Sequence, residues 1–197
     1  DEPAQRGERR FELLWDAEAI IMMGWHKPNA PHPDDAKLAL LAKVLSQGRT
    51  SRFYKNLVEK EGIAQSVDIQ HDNPGARYPN VFTVLGYPRA PYDALDLEKS
   101  IDKEIEAIKK RPPETWELNR VINNTEALLV NTLEQNEGIA GTIAYNEVIY
   151  DNWAYSWDLL AQFEKMKPQD LSEAAQKYLI RENRTVGFVT KTKEGNL

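Results

Sequence analysis

Ala64 to Gly86 reads A-Q-S-V-D-I-Q-H-D-N-P-G-A-R-Y-P-N-V-F-T-V-L-G. Val67 and Ile69 alternate with Ser66, Asp68 and Gln70, the period of two that sets one face of a strand against a core and the other against water. Asn73 to Asn80 is turn chemistry, with Pro74, Gly75 and Pro79 interrupting any regular ladder. V-F-T-V-L-G then returns as a strand. The stretch therefore predicts an antiparallel hairpin with a long connection.

On both sides of this hairpin the period changes. Upstream, Leu38, Leu41, Ala42 and Leu45 share one helical face, and Leu40 and Val44 make the segment apolar most of the way round, which predicts a buried helix. Gly48 stands where a helix would end, and a short second helix with Phe53 and Leu57 four apart runs on to Gly62. Before them, H-K-P-N-A-P-H-P-D-D is a proline-rich loop that offers Asp34 as the N-cap of the first helix. Two strands precede the loop: Phe11, Leu13 and Trp15 in alternation, then A-I-I-M-M-G-W, Ala19 to Trp25, apolar enough to predict burial on both faces.

Downstream, Leu97, Ile101, Ile105 and Ile108 line one helix, with Glu106 and Lys110 paired on its exposed side. Pro112 and Pro113 stop it. A long helical stretch from Glu114 to Tyr150 follows, interrupted at Gly138 and Gly141, then shorter helices over 158–165 and 169–179 and a closing strand T-V-G-F-V-T. The expected fold is a two-layer α+β domain, a mainly antiparallel sheet packed against several helices. It is expected over residues 11–192, with 1–10 a polar interdomain linker and 193–197 a tail.

With 31 acidic residues against 25 basic, the chain carries a formal net charge of −6, which argues against a nucleic-acid partner. No apolar run approaches the roughly 20 residues that a membrane helix needs. There is no cysteine, so disulfides, thiolate metal sites and a cysteine nucleophile are excluded. His26 and His32 are six residues apart across the proline-rich loop, which is no metal-ligand spacing. His71 and Asp72, adjacent on a strand, are expected to point to opposite faces and so form no acid/base couple. The five tryptophans, at 15, 25, 116, 153 and 157, read as core and packing anchors, with Trp153, Tyr155 and Trp157 the ones to inspect for a partner surface. G-R-T-S-R at Gly48 follows a helix and lacks phosphate-loop spacing, but Arg49 and Arg52 at the start of the next helix are candidates for contact with an anion.

Several segments taken in order carry a resemblance: E-P-A-Q-R-G-E-R-R at 2–10, I-I-M-M-G-W-H-K-P at 20–28, L-S-Q-G-R-T-S-R-F-Y-K-N-L-V-E-K-E-G-I-A-Q-S-V at 45–67, N-T-L-E-Q-N-E-G-I-A at 131–140 and Q-K-Y-L-I-R-E-N-R-T-V at 176–186. Together they resemble the C-terminal half of the pitrilysin or insulinase-like zinc peptidases. The resemblance implies two homologous halves around an enclosed chamber, with zinc and the motif H-x-x-E-H carried by an N-terminal half absent from this sequence, on the same chain or on a partner subunit. It implies a peptide substrate, no catalytic residue and no zinc ligand in this chain, and is compatible with a homo-oligomer. It also implies an arginine and a tyrosine in the pattern L-R-E-K-x-G-L-A-Y-S-V that reach the substrate. Here L-V-E-K-E-G-I-A-Q-S-V places Val58 and Gln65 at those positions. The alternative left by these two departures is a purely structural homologue of the same fold.

Overall fold

The structure, a computed structural model, describes residues 5–191, with the side chain of Lys191 excepted. Five strands, β1 (Arg9–Trp15), β2 (Ile20–Lys27), β3 (Ala64–Asn73), β4 (Asn80–Pro88) and β5 (Arg184–Lys191), form one sheet in the order β1-β5-β2-β4-β3. Every pairing is antiparallel except β1 with β5, which is parallel. The predicted hairpin is β3–β4, with Val67 opposite Gly86 and Ile69 opposite Val84. Its ladder is irregular between Ala64 and Ser66 and between Gln70 and Asn73.

The helices are α1 (Pro33–Ser46), α2 (Ala94–Lys110), α3 (Thr115–Leu133), α4 (Asn136–Tyr150), α5 (Tyr155–Lys165) and α6 (Pro168–Tyr178). Ile21, Met23 and Trp25 of β2, Phe82 and Val84 of β4 and Val186 of β5 are buried with Leu97, Ile101 and Ile105 of α2 in one core. α2 comes close because Gly86 has no side chain: a Cβ there would lie 2.9 Å from the Leu97 side chain and 3.1 Å from that of Ile21. α1, apolar most of the way round, is largely buried, packed by α3, α5, α6 and β3. The α+β fold class, read from alternating periods, is the one observed.

Three local expectations are corrected. β2 alternates between buried and partly exposed positions and is not buried on both faces, because the helices cover only one side of the sheet. α1 is capped by His32, whose Nδ1 accepts from the Asp34 N–H at 3.0 Å, with Pro33 at the first helical position. Asp34 is turned instead toward α6, where Lys177 and Tyr178 donate to it at 2.8 Å. Glu106 pairs with Lys109, at 2.6 Å, and not with Lys110.

The segment after Gly48 also differs in kind, since Tyr54–Lys60 is a π-helical turn closed by Glu61 N–H to Asn56 O at 2.8 Å. The long helical stretch breaks between α3 and α4, ahead of Gly138, which packs so closely on the Thr132 carbonyl that a Cβ would stand 1.8 Å from its oxygen. Of the tryptophans, Trp25 is a core residue, while Trp15, Trp116 and Trp153 are exposed. The expected linker lies partly outside the described residues, and Arg9 and Arg10 belong to β1; the expected tail, 193–197, lies outside them altogether.

Candidate functional site

The corner between the π-helical turn and β3 holds the two positions singled out from the sequence. Gly62, at φ +63°, takes the left-handed conformation that turns the chain into β3. Val58 is only 9% exposed and packs in the hydrophobic core. Gln65 is exposed at the first ladder irregularity of β3, and its Nε2 donates to the Pro88 carbonyl at 3.3 Å. The structure therefore separates the pair by environment: an apolar side chain facing in, and an amide facing out with donor and acceptor capacity.

Arg49 and Arg52 sit just ahead of this corner. Arg52 grips the Glu117 carboxylate with both arms of its guanidinium, Nε to Oε1 at 2.9 Å and Nη2 to Oε2 at 2.8 Å. Burial raises the Glu117 pKa, but the bonds from Arg52 and from the Glu114 N–H outweigh it and hold the carboxyl below its ordinary value. The Arg49 guanidinium lies over the Tyr54 ring, 5.7 Å from its centroid.

From this corner the uncovered face of the sheet extends across all five strands. By alternation it carries Ser66 and Asp68 of β3, Leu85 and Thr83 of β4, Met22 and Gly24 of β2, Gly187 of β5 and Phe11 and Leu13 of β1. Several of these are large and open to solvent: Phe11 is 61% exposed, Leu13 53% and Met22 45%. Exposed apolar side chains grouped in this way are the mark of a contact surface. His26 also lies on this face, and its backbone carbonyl accepts from Asn183 Nδ2 at 2.7 Å.

At the far end of β3 a polar cluster emerges that no sequence spacing displayed. The Lys27 ammonium, with no exposed side-chain surface, donates to the buried Asp35 carboxylate and, at 3.0 Å, to the Pro28 carbonyl. Tyr155 of α5 reaches the second Asp35 oxygen at 3.5 Å and stacks on Tyr150 with ring centroids 3.6 Å apart. Burial raises the pKa of both phenols. His71 and Asp72 border the cluster, and their side chains do not diverge as expected, since Nδ1 and Oδ1 are 3.9 Å apart; the ladder irregularity between Gln70 and Asn73 breaks the alternation.

Burial lowers the His71 pKa against the opposing pull of Asp72 and Asp35. A base whose folded pKa is depressed binds fewer protons folded than unfolded, so stability falls as pH drops below the ordinary histidine value of about 6.5 and levels off once the folded value is passed. His71→Gln should flatten thermal-unfolding midpoints between about pH 7 and pH 5. Unchanged pH dependence in that variant would show that His71 contributes no such linkage. Among the described residues no three His, Asp or Glu side chains come together as a metal site, and no helix is long and apolar enough to cross a membrane.

The family described as the peptidase M16 inactive domain matches this sequence over residues 2–125. A curated relative, the zinc protease PqqE of Helicobacter pylori, is 26% identical over 190 residues, which span 95% of this chain and 42% of the relative. A solved protease from Helicobacter pylori superposes with a TM-score of 0.87 at 25% identity, covering 95% of this chain and 45% of that one. A peptidase M16 inactive domain from Pseudomonas fluorescens shares the fold with a TM-score of 0.77 at 18% identity, covering 100% of this chain and 46% of that one. The chain thus spans less than half the length of these relatives.

Proposed function

The chain belongs to the family of peptidase M16 inactive domains, and on that footing we propose that it is the non-catalytic half of a zinc-dependent metallopeptidase, closing a proteolytic chamber and contacting peptide with its uncovered sheet face. Zinc, the water it activates and the H-x-x-E-H motif belong in this reading to a catalytic half, on the same chain or on a partner. A zinc peptidase needs three protein ligands, an open coordination position and a general base. This chain's part is to bind, orient and exclude solvent.

The observation that carries the reading is the one-sided covering of the sheet. Helices bury one face of β2, β3, β4 and β5, while Met22 remains exposed on the other; β1, at the edge, is open on both faces, with Phe11 and Leu13 continuing the uncovered face and Leu14 exposed opposite them. A wall of a chamber shared with a second half requires that asymmetry. Peptidase activity on an unfolded peptide should rise when this chain is mixed with its catalytic half and the two associate. An associated mixture with no gain in activity would overturn the proposal.

Val58 and Gln65 favour a second reading, a structural homologue with no proteolytic role. Val58 is committed to the core and offers no hydrogen bond. An H-x-x-E-H motif in the adjoining half supports the peptidase, and a degenerate one supports the scaffold.

A further inference from the structure

The uncovered face is not flat. Thr185, Gly24 and Thr83 lie side by side in register on β5, β2 and β4, so small side chains make a low row across the sheet. Phe11 and Met22 rise on one side of the row, His26 and Val81 on the other, enclosing a trough of about 310 Å³. Phe11 leans over Gly187, its partner in the parallel ladder, so closely that a Cβ on Gly187 would meet the ring at 2.2 Å. The glycine lets the aromatic wall lie down against the sheet. Gly24 is different: a Cβ there would touch only Val81, at an ordinary 3.8 Å, so the space above it is open rather than required by the fold.

The trough has a charged end. Arg9 follows Thr185 in the same row and lines the cavity. The neighbouring arginines are committed, Arg10 to Glu8 and Glu98 and Arg184 to Glu8, Glu98 and Asp102. The Arg9 side chain makes no hydrogen bond or ion pair with another described residue. An apolar slot that ends at a guanidinium without a partner among the described residues is complementary to an apolar side chain beside a carboxylate.

We propose that this trough is a subsite for the carboxyl end of a peptide, taking a large apolar C-terminal side chain between Phe11, Met22 and Val81 and its terminal carboxylate on Arg9. The choice of a peptide as occupant rests on the chamber reading above. The chemistry suits such a site, because hydrolysis of a peptide bond leaves the amino-side fragment with a new carboxylate next to its last side chain.

The test is an amide-shift titration of the isotope-labelled 197-residue chain with N-acetyl-Ala-Ala-Leu, first as the free acid and then as the C-terminal amide. The shifts should centre on Gly24, Thr185 and Gly187, with the acid bound about threefold more tightly, the worth of one exposed ion pair. Gly24→Val should fill the floor and weaken both peptides about tenfold. Arg9→Gln should abolish the preference for the acid while leaving the amide's affinity unchanged. Equal affinity in Gly24→Val, shifts centred elsewhere, or binding of decanoate but of neither peptide would overturn the subsite. The titration needs no catalytic half, so its failure is distinct from a missing peptidase gain, which would remove the chamber reading instead.

Discussion

Lys27→Met should lower the unfolding free energy by about 3–5 kcal/mol, the usual cost of removing one partner from a buried ion pair. The Lys27 side chain has no exposed surface and Asp35 is buried beneath α5, so water cannot take the place of the lost ammonium. Among the described residues the carboxylate would keep only the distant hydroxyl of Tyr155. The double variant Lys27→Met, Asp35→Leu should recover most of the loss, because it leaves no buried charge behind. Denaturant titration of the three proteins separates the outcomes. A single variant within 1 kcal/mol of the parent, a rough bound for ordinary surface changes, would show that the pair is solvated in solution.

Arg184→Met should have an effect of similar size, about 3–5 kcal/mol, but confined to one edge of the sheet. Arg184 is buried and holds Glu8, Glu98 and Asp102 together, with Nη1 to Asp102 Oδ1 at 2.6 Å. Burial lowers the Arg184 pKa, and the bonds it donates to Asp102 and Glu8 more than restore it, so the guanidinium stays charged. Glu98 also accepts both arms of Arg10, at 2.6 and 2.7 Å, which ties β1 to α2. With Arg184 gone, three carboxylates face one another with less countercharge. Hydrogen exchange should then speed up in Arg9–Trp15 and in β5 well before it does in α1. Uniform acceleration throughout the molecule would refute an edge-specific role.

The hairpin β3–β4, the largely buried α1 and the amphipathic α2 were legible in the sequence because each is written in a local period. Val67 and Ile69 alternate and Leu97, Ile101 and Ile105 recur, and tertiary packing used those faces as written. β2 misled for a physical reason. Met22 and Met23 are equally apolar, yet which of them is buried depends on where helices from distant parts of the chain come to lie. The expectation of burial on both faces therefore concealed the uncovered face.

Polar clusters were illegible for the same reason. Asp34 meets Tyr178 across 144 residues and Arg184 meets Glu8 across 176, and no spacing rule joins such positions. The corner at Val58 and Gln65 could be located from its neighbours in the sequence. The inward commitment of Val58 followed only from the packing of the π-helical turn, a geometry whose hydrogen-bond pattern leaves no separate mark on composition.

The parallel pairing of β1 with β5 bears on how the molecule is made. Phe11 and Leu13 are made well before their partners Gly187 and Val189, which lie roughly 176 residues later, about nine seconds or more at 5–20 residues per second. Until then the strand R-R-F-E-L-L-W has no ladder to join, and its apolar side chains are available to any passing edge. Throughout that interval this apolar strand waits unpaired, and β5, far along the chain, is the strand that ends its exposure.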